Sequence, residues 1–83
     1  MSTCFVTFRS ITYAQRGQGV LGKAGITAGF GRTPRWMEEK GCGYSLRVPR
    51  GRIQEAATLL RDNGVPFSKI YCAGQDGTME ELP

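Results

Sequence analysis

The order in which the hydrophobic period switches along the chain restricts its fold more than any single residue does. Cys4, Val6 and Phe8 alternate with Phe5, Thr7 and Arg9, a stretch β-prone on both faces that reads as a central strand. Ser10 then offers an N-cap hydroxyl. After it Ala14, Gly17, Leu21 and Ala24 recur at three- and four-residue steps, the stripe of a helix that Gly25 stops. Gly17, Gly19 and Gly22 each weaken that helix by up to ~1 kcal/mol. Ile26, Ala28 and Phe30 alternate with Thr27 and Gly29 as a short strand suited to a sheet edge, and Thr33-Pro34 ends it. Tyr44, Leu46 and Val48 alternate with Ser45 and Arg47 in a strand over residues 43–48 that Pro49 closes. A second helix from about residue 51 lines up Ile53, Ala56, Ala57 and Leu60 and stops at Asn63-Gly64. Residues 65–72 read as the last strand, which Pro66 suits to an edge.

The resulting order, β-α-β-β-α-β in 83 residues, predicts a ferredoxin-like α+β sandwich. In it two helices pack on one face of a four-stranded antiparallel sheet whose first and third strands are central. A chain of this length buries roughly 60–65% of its unfolded surface, enough for one small core. Residues 1–73 are expected as a single domain of this kind, and residues 74–83, polar and acidic, as a mobile C-terminal tail.

Hydrophobic residues at 40% and charged residues at 22% are ordinary for a soluble globular protein. No apolar run approaches the ~20 residues that span a bilayer, and Met1-Ser2-Thr3-Cys4 lacks the basic lead and apolar run of a signal peptide. The reading is a cytoplasmic protein without a membrane. Its three cysteines, Cys4, Cys42 and Cys72, are widely spaced, and no histidine is present to complete a zinc site. In a reducing cytoplasm they are free thiols by default. The glycines form neither G-x-x-x-x-G-K-[ST] nor G-x-G-x-x-G between a strand and a helix, so no phosphate loop and no cofactor is called for.

One cysteine is placed for use. Cys42 lies between Gly41 and Gly43, where little bulk shields the sulfur, and near Arg35 and Lys40, which favour a thiolate. In the expected fold the third strand begins at the sheet end where the first strand stops and the first helix starts. Cys42 then belongs beside Arg9, Ser10 and the amides of Ile11 and Thr12, a helix N-terminus that stabilises anions. Its parity with Tyr44 and Leu46 turns it toward the helix side. Cys4 and Cys72 belong at the opposite end of the sheet, adjacent to each other. They read as core or edge packing, with a resolving or secondary thiol as the alternative.

The pattern Phe8-x-Ser10-x-x-x-Ala14, Leu21-x-x-Ala24-Gly25-Ile26, Thr33-Pro34-Arg35, Cys42-Gly43-Tyr44-Ser45-Leu46-Arg47-Val48, Ala56-x-x-Leu59-Leu60, Asn63-Gly64 and Ile70-Tyr71 resembles a small bacterial family described as selenium/sulfur carrier-like proteins. The most specific piece is Thr-Pro-Arg followed at short range by Cys-Gly and an alternating strand. The resemblance implies that Cys42 is the carrier thiol, holding a persulfide or selenopersulfide between a sulfur or selenium donor protein and an acceptor protein. The chain departs from the family in the turn after Ser10, where Ile11-Thr12-Tyr13 replaces a frequent histidine, and at Gln18, where the family often has glutamate. A proton-transfer role is in doubt there, and a carrier fits better than a turnover enzyme.

Two further classes remain beside this one. Lys40-Gly41-Cys42-Gly43-Tyr44-Ser45-Leu46-Arg47 partly follows an RNA-recognition signature, and the net charge of +4 permits an anionic partner. Cys42 and Arg47 replace stacking aromatics, however, and Tyr44 turns inward, so nucleic acid is disfavoured. The other class is a regulatory or oligomerising module, possible as a homodimer through the helix-free sheet face that carries Phe5, Thr7, Ser45 and Arg47.

Overall fold

The structure is a computed structural model that describes residues 3–33, 43–73 and 79–82. Strand β1 (Thr3–Phe8) leads into helix α1 (Ile11–Lys23), followed by β2 (Gly29–Arg32) and β3 (Tyr44–Pro49). One turn of 3-10 helix (Arg50–Arg52) opens helix α2 (Ile53–Asp62), and β4 (Ile70–Ala73) and β5 (Met79–Leu82) complete the chain. The sheet runs β2-β3-β1-β4-β5 with every neighbouring pair antiparallel. Its first four strands and the two helices form the ferredoxin-like sandwich, with β1 and β3 central and β2 at an edge, as the periodicity predicts.

Both helices end by the same device. The N–H of Ile26 donates to the Leu21 carbonyl at 2.9 Å and that of Gly25 to Gly22 at 3.1 Å. Val65 and Gly64 repeat this on Leu60 and Arg61 at 2.9 and 3.1 Å. This is the Schellman motif, which needs a left-handed residue just past the helix, supplied by Gly25 at φ 80° and Gly64 at φ 68°. Ile26 and Val65, the residues after those glycines, are buried together with Leu21 and Leu60. Because Ile26 is spent on closing α1, β2 starts only at Gly29, three residues later than the alternation suggests.

The core collects Val6, Phe8, Leu46 and Val48 from the sheet, Ala14 and Leu21 from α1, and Ile53, Ala56, Ala57 and Leu60 from α2. Gly17 sits where α1 crosses this core: a Cβ there would lie 3.1 Å from Leu60, 3.2 Å from Phe8 and 3.4 Å from Leu46. The close approach accounts for a glycine that weakens the helix. Gly17→Leu is therefore expected to overpack the domain and to cost roughly 1–3 kcal/mol, measured as a lowered urea midpoint. An unchanged midpoint would show that α1 can slide away freely. Gln18, at a position where the family often has glutamate, donates from Nε2 to the Ala28 carbonyl at 2.8 Å and ties α1 to the approach of β2.

Two expectations are corrected. Cys4 and Cys72 are adjacent, as expected, but they are not free thiols: they form a disulfide across β1 and β4, fully buried at 0% and 1% exposure. Antiparallel partners on one face bring their Cβ atoms close enough to bond, which packing alone does not reveal. In addition, β4 is not an edge and does not contain Pro66. It spans only Ile70–Ala73, and residues 79–82, read from sequence as part of a mobile tail, pair along it from Ile70↔Leu82 to Ala73↔Met79. Lys69 and Glu81 form an ion pair at 3.0 Å across this addition.

Candidate functional site

The end of the sheet where β1 stops gathers several elements. Ser10, extended at φ −135° and ψ 152°, caps α1: its hydroxyl oxygen accepts the N–H of Tyr13 at 3.2 Å, and its carbonyl accepts that of Ala14 at 3.2 Å. Helix geometry leaves the amides of Ile11 and Thr12 without a carbonyl inside the helix. The last pair between β1 and β3 is Phe8↔Tyr44, so continuing the register sets Gly43 opposite Arg9, one residue before Ser10. On its other side Gly43 is held by the residue just after β2, its carbonyl accepting the Thr33 N–H at 3.0 Å. The structure thus brings Arg9, Ser10, Ile11, Thr12 and Gly43 to one sheet end.

Thr33 adds a feature that the sequence does not signal. It is buried, and its hydroxyl oxygen has no hydrogen-bond partner among the described residues. A buried hydroxyl without a partner costs about 1–3 kcal/mol, so this donor stands ready at the root of the segment that follows. That segment carries Arg35, Trp36, Lys40, Gly41 and Cys42, and these residues lie outside the described ones.

Cysteine bookkeeping singles out one thiol all the same. Of the three cysteines in the chain, Cys4 and Cys72 are consumed by the disulfide, which leaves Cys42. The pair is also remote from Gly43. Cys4 faces Val48, five residues along β3, which at ~3.3 Å per residue is roughly 17 Å away. Bonded and buried, the pair itself offers no free thiol.

Tyr44 lies on the helix side of the sheet, packed against the core and stacked on Phe30 with ring centroids 6.0 Å apart. The aromatic of the RNA-like signature is thereby withdrawn from the open face. Among the described residues no group of histidine, cysteine or carboxylate side chains could hold a metal ion, and no helix is long and apolar enough to cross a membrane.

Comparison with known families gives one finding. The family model described as "Putative Se/S carrier protein-like" matches residues 3–72, from the start of β1 into β4. The chain belongs to this family. The match takes in the whole sheet end just described together with the segment that contains Cys42, and it stops short of β5. Searches of curated proteins and of solved structures give no match.

Proposed function

We propose that the protein is a sulfur or selenium carrier that holds the atom on Cys42 as a persulfide or selenopersulfide and passes it from a donor protein to an acceptor protein. The observation that carries this reading is the Cys4–Cys72 disulfide, which leaves one cysteine of three in a chain whose family is named for selenium/sulfur carriage. A single thiol suits a carrier, because no second thiol in the chain can attack the loaded sulfur and discharge it as a disulfide.

The chemistry needs little apparatus. The Cys42 thiolate attacks the outer sulfur of a donor persulfide; a bond forms between Sγ of Cys42 and that sulfur, the donor's S–S bond breaks, and the donor leaves as a thiolate. Transfer onward reverses the roles, the acceptor attacking the outer atom while Cys42 leaves as a thiolate. No oxidant or general base enters either step, which is consistent with a chain that has no histidine. Both the thiolate and the persulfide are anions, and we assign their stabilisation to the first-turn amides of Ile11 and Thr12 behind the Ser10 cap, to Arg9, Arg35 and Lys40, and to the unshielded backbone at Gly41 and Gly43. We add to these the hydroxyl of Thr33, which has no partner among the described residues, as a further donor. In this reading the carrier works in the cytoplasm, where burial protects its disulfide from attack by soluble thiols.

The test is intact-mass and peptide mass spectrometry after incubation with a cysteine desulfurase and cysteine, or with selenide and an oxidised thiol. One added sulfur or selenium on the peptide containing Cys42 is expected, removed by dithiothreitol and absent from Cys42→Ser. Acquisition of the extra atom by Cys42→Ser would overturn the assignment.

A further inference from the structure

The face of the sheet away from the helices carries a row of side chains in register across all five strands. Cα pairing runs Gly29↔Arg47, Arg47↔Phe5, Phe5↔Tyr71 and Tyr71↔Glu81. Residues directly opposite each other share a face, and the neighbours Cys4, Leu46, Val48, Ile70 and Cys72 are buried on the other one. The row therefore reads, from the β2 edge to the β5 edge, glycine, cation, two half-buried aromatics, anion. Arg47 and Glu81 are exposed, and Arg47 lies flat over the backbone of Gly29, where an added Cβ would come within 2.9 Å of its guanidinium. Gly31, beside Gly29 in the same strand, has nothing within 4 Å of where its Cβ would stand, so the β2 side of the face is a flat floor.

This order of charges is complementary to itself. Rotation by 180° about an axis that runs along the strands, midway between Phe5 and Tyr71, maps Arg47 onto the position of Glu81 and Phe5 onto that of Tyr71. Two copies placed face to face about that axis, with sheets ~10 Å apart, would set each Arg47 against the other copy's Glu81 and each Phe5 against the other copy's Tyr71. We propose that this row, and not the whole helix-free face, whose Thr7 and Ser45 are buried, is a self-association surface and that its occupant is a second copy of this chain, related by this two-fold. An isologous contact of this kind uses the same patch twice. A nucleic acid fits the row less well, because a phosphate chain laid across it would meet the Glu81 carboxylate. Glu81 already pairs with Lys69 of its own chain at 3.0 Å, with half its side chain still exposed, so its remaining lone pairs can accept a guanidinium fork.

Five strands ~4.8 Å apart, of which β2, β4 and β5 are only four residues long, make a flat area of roughly 300 Å², and Thr7 and Ser45 on that face are already buried, so the patch is well under half of what one partner buries in a standard stable interface. The dimer is accordingly weak and reversible. It is independent of the carrier reading, since the row lies on the opposite side of the sheet from the helices and includes no residue assigned to thiol chemistry.

The experiment is sedimentation velocity on the full chain, up to roughly 1 mM, a concentration chosen for an interface of this small size. The wild type is expected to associate with increasing concentration to a dimer and no further. Arg47→Glu sets like charges against each other in its homodimer, and so does Glu81→Arg; each is expected to weaken self-association at least about tenfold. An equimolar mixture of the two variants restores both charge pairs in the mixed dimer and is expected to associate as the wild type does. Circular dichroism of each variant checks the fold, and recovery in the mixture also excludes misfolding as the cause. A wild type that stays monomeric, a single variant that associates like the wild type, or a mixture that stays monomeric overturns the proposal.

Discussion

Reduction of the Cys4–Cys72 disulfide is expected to remove about 4 kcal/mol of stability and to lower the melting temperature by roughly 15–30 °C. The bond joins residues 68 apart in sequence, so it closes nearly the whole described chain into one loop and strongly restricts the unfolded ensemble. Set against a total of about 4–12 kcal/mol for a domain of this size, that is a large share. The native bond also ties β1, a central strand, to β4, and thereby to the β5 hairpin beyond it. Because both sulfurs are buried, reductant reaches them only through unfolding. The measurement is therefore made in a Cys42→Ser background, on protein reduced in denaturant and refolded with reductant present, melted beside the oxidised form. Equal melting temperatures would show that the bond closes a contact that packing already secures.

The sequence made the helices legible because each carries its own boundary chemistry. Ser10 caps α1, Gly25 and Gly64 take the left-handed step that ends α1 and α2, and the stripe Ile53, Ala56, Ala57, Leu60 is buried as the 3.6-residue period requires. The central strands were legible from alternation, since one face of β3 is wholly inward at Leu46 and Val48. What escaped reading depends on partners distant in sequence. Residues 79–82 show no apolar alternation, and their strand exists because β4 offers an edge to pair with and Lys69 offers Glu81 a counterion. The proximity of Cys4 and Cys72 followed from topology, yet whether they bond depends on register, which sets them directly opposite each other. Nothing in the sequence signals that Gln18 ties α1 to the chain before β2 or that Arg47 lies over Gly29, since both contacts need a partner on another element. Of the candidate site, the structure describes the capped helix start and Gly43, one residue beyond the Phe8↔Tyr44 pair, while Arg35, Lys40, Gly41 and Cys42 lie outside the described residues.

Native, unreduced protein is expected to present one reactive thiol per chain, and its alkylation rate is expected to rise with pH through a midpoint below the ~8.5 of a free cysteine. The count follows from the disulfide, the midpoint from charge. A helix N-terminus and nearby guanidinium groups lower the energy of the thiolate and leave the thiol nearly untouched, so ionisation is complete at lower pH. The rate at a single pH is a poor readout of this. If the midpoint fell by about 1.5 units, the thiolate fraction at pH 7 would rise roughly fifteenfold, while the lower basicity of that thiolate would cut its nucleophilicity about fivefold. The net gain is only about threefold, whereas the midpoint itself moves by the full shift. Salt supplies an internal check, because exposed cations act through solvent and are screened over ~8–10 Å at 0.1–0.15 M ionic strength. Raising the salt should therefore carry the midpoint back toward the free value, and Arg9→Gln should move it in the same direction. A native protein with no reactive thiol, or one whose midpoint lies at or above that of free cysteine, would make Cys42 a packing residue and leave the carrier reading without its nucleophile.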